Sequence, residues 1–90
     1  MNITDIRIRK ITEGTRMKAI VSVTFDDELV VHDIKVIQGH EKLFLAMPAR
    51  KHPNGEFSDT VHPTTKDLRD KLEQAVLAEY ERYIQGQIEE

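Results

Sequence analysis

Ninety residues, 39% of them hydrophobic and none of them cysteine, make one small domain around a single core, with neither a disulfide staple nor a thiolate metal site. A chain of this size buries roughly 60% of its unfolded surface, so extra burial through self-association is expected. A net charge of −3 argues against a protein that coats phosphate indiscriminately. The opening Met1-Asn2-Ile3-Thr4-Asp5 has no apolar leader-like core, and no run approaches the roughly 18 apolar residues of a membrane span, so a cytoplasmic protein without membrane contact is expected.

The charge is unevenly placed. Residues 1–18 carry Arg7, Arg9, Lys10, Arg16 and Lys18 against Asp5 and Glu13, a local +3, whereas residues 53–90 carry four cations against nine acids, a local −5. Any nucleic-acid surface is therefore a local patch.

In chain order, Ile6 and Ile8 alternate with Arg7 and Arg9, the period of a strand with one buried face, beginning at Ile3 and ending near Ile11. Thr12-Glu13-Gly14-Thr15 reads as a turn. Met17, Ala19, Val21, Val23 and Phe25 then alternate with Lys18, Ile20, Ser22 and Thr24 in the clearest strand of the chain. Asp26-Asp27-Glu28 suits a solvated hairpin turn, and a third strand follows from Leu29 to about Ile37. Strict alternation there puts Val30, His32, Ile34 and Val36 on one face and Leu29, Val31, Asp33, Lys35 and Ile37 on the other.

After a loop over residues 38–42, Leu43-Phe44-Leu45-Ala46-Met47 is a short apolar strand, stopped by Pro48, whose composition implies burial on both faces. Pro48 and Pro53 then bracket a stiff loop that presents Arg50, Lys51 and His52 outward. Asn54-Gly55 supplies the positive-φ residues of a tight turn, and Glu56 to His62 forms a fifth short strand.

The one helix opens at Pro63-Thr64-Thr65-Lys66-Asp67, with Thr64 as N-cap and Asp67 placed to suit the positive end of the helix dipole. Its apolar stripe is Leu68, Leu72, Ala75, Val76, Tyr80, Tyr83 and Ile84, and Gly86 ends it. The fold expected is α+β: an antiparallel sheet of about five strands with one C-terminal helix packed on it, spanning residues 1–85 and followed by a mobile acidic tail over residues 86–90.

Four histidines, His32, His40, His52 and His62, lack metal-ligand spacing, and no metal or cofactor is implied. His32 and Asp33, adjacent in a strand, point to opposite faces and form no dyad. Ser22 and Ser58 have no nucleophile signature, and the scattered Gly14, Gly39, Gly55 and Gly86 make no phosphate loop, so neither an enzyme nor a small-molecule site is expected. The remaining constellation is basic: Arg50, Lys51 and His52 from the loop, with Lys66, Arg69 and Lys71 from the first turns of the helix. Lys66 and Arg69 share a helix face and, with the first amides, suit a phosphate. The competing reading is a mixed-charge solvent face held by Lys66–Asp70 and Asp67–Lys71 pairs.

The blocks TDIRIRKI, GTRMKAIVSVTFDDELVVHDIKVI, LFLAMPARKHPNGEF and HPTTKDLRDKLEQAVLAEYER resemble the SpoVG family, stage V sporulation protein G, over nearly the whole chain. Arg16-Met17-Lys18-Ala19, Val30-Val31-His32-Asp33-Ile34 and the segment from Met47 to Phe57 are its most specific parts. The resemblance implies a bacterial cytoplasmic regulator linked to sporulation and septum formation, binding DNA or RNA as a homodimer. It implies nucleic-acid contact by Arg69 and Lys71, and it matches Arg50 and Lys51 to a cationic pair. The chain departs from the family's hydroxyl-rich helix opening by carrying Lys66, Asp67, Leu68 and Asp70, and the two acids weaken phosphate attraction. The alternative function is a protein-interaction module in septation that uses the strand from Leu29 to Ile37 or a sheet edge.

Overall fold

The computed structural model describes residues 1–88. They form β1 (Ile3–Ile11), β2 (Met17–Phe25), β3 (Leu29–Gln38), β4 (Leu43–Ala46), β5 (Ala49–Lys51), β6 (Phe57–Asp59) and α1 (Lys66–Ile88). The first four strands make an antiparallel sheet in the order β1-β2-β3-β4, and β5 and β6 pair separately as a two-stranded ribbon. The fifth strand expected from Glu56 to His62 thus does not join the main sheet. Pro48 has no N–H to extend a ladder beyond β4, and its carbonyl instead closes the base of the ribbon by accepting from Thr60 N at 2.8 Å.

The isoleucines of β1 are spaced three, two and three apart, which a regular strand cannot keep on one face. Two irregularities solve this: Thr4 lies between the pairs Ile3↔Phe25 and Asp5↔Thr24, and Arg9 lies between Ile8↔Val21 and Lys10↔Ile20. Each inserts one extra residue and resets the alternation, so Ile3, Ile6, Ile8 and Ile11 all pack on the core.

The same device operates in β3. Val21 pairs with Ile34 but Val23 pairs with Val31, so His32 and Asp33 together oppose Ser22, and Asp33 takes a left-handed φ of 64°. The alternation expected for this strand is therefore corrected, because Val31, Ile34 and Val36 are all buried under the helix. Leu29 and Val30 are left half exposed. The β2–β3 turn uses Asp26 and Asp27, both at φ 54°, with Glu28 N donating to Phe25 O. Paired positive φ is the primed turn that matches strand twist. Here two aspartates adopt it, helped by Asn2 N donating to Asp26 Oδ1 and Asp27 N donating to Thr4 Oγ1.

The core consists of Ala19, Val21, Val23, Phe25, Val31, Ile34 and Val36 from the sheet with Leu72 and Val76 from α1. Leu68, Leu77 and Tyr80 extend the helical stripe, whereas Tyr83, placed in it by periodicity, is exposed. Strand β4 is an edge strand with all four residues half-buried, not the doubly buried strand its composition implied. The helix does not stop at Gly86. It continues to Ile88, because a glycine costs a helix only about 1 kcal/mol and Gly86 does not take the positive φ of a C-cap. Of the residues expected to form a tail, Glu89 and Glu90 lie outside the described residues. Among the described residues no helix is long and apolar enough to cross a membrane.

Candidate nucleic-acid interface

The segment from Pro48 to Thr60 is a hairpin rather than a loop. Arg50 pairs with Ser58 and Lys51 with Phe57. Its tip is a turn in which Gly55 N donates to His52 O at 2.9 Å and His52 N donates to Glu56 O at 2.7 Å. Gly55 alone has positive φ, at 90°; Asn54 does not, and instead its Oδ1 accepts from Glu56 N. His52 Nε2 and Ser58 Oγ share a 2.6 Å hydrogen bond across the ribbon.

All six strand residues of the ribbon are exposed. Adjacent strand residues point to opposite faces, so Arg50 and Lys51 project from the two sides of the ribbon. Lys51 shares its side with Phe57, which is 68% exposed, the highest value among the large hydrophobic residues whose side chains the structure describes. Sequence reasoning missed Phe57 as a site residue. The signal was there in the spacing: the turn at residues 53–55 places it opposite Lys51.

At the start of α1 the N-cap is Thr65, not Thr64, since Thr65 Oγ1 accepts from Leu68 N at 3.1 Å and Thr65 O takes the first helical bond, from Arg69 N. Asp67 still falls in the first turn, at the positive end of the dipole. Lys66 is fully exposed and tied to Asp70, Nζ to Oδ2 at 2.7 Å. That hydrogen bond, and then the charge of the carboxylate, hold its ammonium above the usual lysine range. Lys71 does not pair with Asp67; its Nζ lies 3.4 Å from the carbonyl of Met1. Arg69, Arg50 and Lys51 make no ion pair among the described residues.

Of the five cations picked from the sequence, then, three are free, one is neutralised by an i, i+4 partner, and one touches a carbonyl. The bases of the ribbon and of α1 meet, because Met47, Val61 and Pro63 line one hollow with Leu68 and Leu72. Beyond that base β5 and β6 pack on each other, and α1 packs on β1 and β4. The arrangement offers two cationic prongs from a common root, which suits contact with phosphates in a groove or along a strand.

The sequence model of the SpoVG family matches residues 1–82. Over 82 residues the chain is 61% identical to a protein of Caldanaerobacter subterraneus subsp. tengcongensis, covering 91% of this chain and 90% of the relative. It is 63% identical over 82 residues to one of Clostridium acetobutylicum, with 91% and 86% covered. It is 62% identical over 81 residues to one of Clostridium novyi, with 90% and 81% covered. Each of these relatives is named "Putative septation protein SpoVG". The chain belongs to the SpoVG family.

Proposed function

We propose that this protein is a non-enzymatic, cytoplasmic regulator of sporulation and septum formation that binds DNA or RNA as a homodimer, through Arg50, Lys51, Arg69 and Lys71 with Lys66 at the rim. The observation that carries the reading is the free ribbon: two unpaired cations on its opposite sides, with an exposed aromatic beside one of them. A two-stranded ribbon fits the major groove of duplex DNA, where both of its sides meet groove walls, and an exposed aromatic beside a cation suits an unstacked base. The names of the relatives support the septation link. Self-association is supported by the exposure of Met1, Leu29 and Val61, which rim the hollow at the ribbon's base. An apolar rim of this kind is what a second subunit covers, and pairing doubles a patch that is weak in one copy.

The test is equilibrium binding of labelled duplex and single-stranded pools at low salt, wild type against the variant Arg50→Ala, Lys51→Ala, Arg69→Ala, Lys71→Ala. The proposal expects at least a tenfold loss in a variant whose circular dichroism and unfolding midpoint are those of a folded domain. Unchanged binding would reject these residues as the interface. Absence of any binding by the wild type would favour a protein-interaction role through Leu29 and Val30.

A further inference from the structure

The helix covers one face of the four-stranded sheet and leaves the other open. Cross-strand register places Lys10, Ile20, Lys35 and Ala46 in one row across the open face, Arg7 and Ser22 in a second, and Met17, Ile37 and Phe44 in a third. Ile20, Ile37 and Phe44 are half-buried, yet they belong to no part of the core. Arg9 reaches over the face to donate from Nε to Ser22 Oγ, which lies 2.8 Å from His32 Nδ1, so a hydrogen-bonded polar cluster adjoins the apolar centre.

The charge of this layer is opposite to that of the molecule. Strands β1 to β4 carry Arg7, Arg9, Lys10, Lys18 and Lys35 against Asp5 and Asp33, a local +3, in a chain whose remaining residues hold eight cations and fourteen acids. Arg7 is paired with Asp5 at 2.9 Å, but Arg9, Lys10 and Lys35 have no ion pair among the described residues. Lys10 and Lys35 flank Ile20 two strand spacings apart, about 10 Å. The asymmetry read in residues 1–18 is thereby gathered, apart from the turn that carries Arg16, into one sheet.

We infer that the open sheet face is a second nucleic-acid surface, specific for single strands, with Phe44 and its apolar neighbours receiving base faces and Arg7, Arg9, Lys10 and Lys35 receiving phosphates. The inference rests on the nucleic-acid reading above and extends it to a different face. A sheet that bears an aromatic among apolar residues and is edged by cations matches unstacked bases, whereas a duplex keeps its base faces hidden. An acidic protein segment would use the cations but has no use for the aromatic centre.

The test uses the full chain with a labelled single-stranded oligouridylate and a labelled duplex. Three proteins are compared with the wild type: Arg7→Gln with Lys10→Gln and Lys35→Gln; Phe44→Leu; and the fourfold ribbon and helix variant. All exchanged cations of the sheet set are exposed, and Arg9 is kept because it holds Ser22. The sheet set is expected to lose single-strand affinity by tenfold or more, with a log–log salt slope shallower by about 2, from about 0.7 for each of three phosphates. Its duplex binding is expected to stay as in the wild type. Phe44→Leu is expected to weaken single-strand binding with the slope unchanged. Wild-type single-strand affinity in the sheet set, or an equal loss for duplex, would overturn the inference while leaving the ribbon reading intact. No binding of either probe by the wild type would overturn both.

Discussion

Replacing Ile34 by alanine is expected to remove about 3 kcal/mol of folding stability, the loss typical of a fully buried isoleucine whose cavity cannot collapse. Ile34 is completely buried and faces Val21 across the β2–β3 ladder, under the helix. A domain of this length has a total stability of roughly 5–13 kcal/mol, so such a loss is a large share of it. Strict alternation gives a different expectation, since it puts Ile34 on the same face as Val30 and His32, both exposed. The bulge at Asp33 decides between the two. Urea unfolding measures it, with Val30→Ala as a control at a half-exposed position outside the hollow at the ribbon's base, where a change within about 0.5 kcal/mol is expected. Equal and small effects at the two sites would show that the bulge does not turn Ile34 inward.

Phe57→Ala is expected to weaken binding of single-stranded nucleic acid between about fivefold and a hundredfold, the range of one lost base–aromatic stack. At 68% exposure the ring contributes little to the fold, so the unfolding midpoint is expected to stay put. Phe57→Tyr retains the π face and is expected to bind as the wild type does, while Phe57→Leu, which keeps apolar area only, is expected to fall with the alanine variant. Full affinity in Phe57→Leu would reduce the side chain to a surface hydrophobe.

The parts of the fold that follow local rules were legible in the residues. Strands β1 and β2, the acidic turn and the helix stripe through Leu72 and Val76 announce themselves by period and turn chemistry. What escaped was set by longer-range demands. Asp33 becomes a bulge because Val31, Ile34 and Val36 must share one face, and an aspartate tolerates the left-handed conformation this requires. The ribbon leaves the sheet because Pro48 cannot extend the ladder, which composition alone does not separate from a fifth strand. Thr64 and Thr65 are equivalent caps on paper, and only the observed bond to Leu68 selects the second.

The candidate site divides in the same way. The Lys66–Asp70 pair is written in i, i+4 spacing, and it removes Lys66 from the free cations. The contact of Lys71 with Met1 joins the two ends of the sequence and has no local signature. The surplus of cations in residues 1–18 was visible as a sum, but its meaning as a surface depends on which side of the sheet the helix covers.

Whether the protein contacts phosphates at all is decided by the salt dependence of wild-type binding to duplex DNA and single-stranded RNA pools, followed by fluorescence anisotropy. With about four to six phosphates neutralised by a dimer, the log–log slope on duplex is predicted at roughly −4 to −5, and proportionally shallower on single strands. A flat response across the series, or no binding at the lowest salt, would mean that these cations do not hold nucleic-acid phosphates.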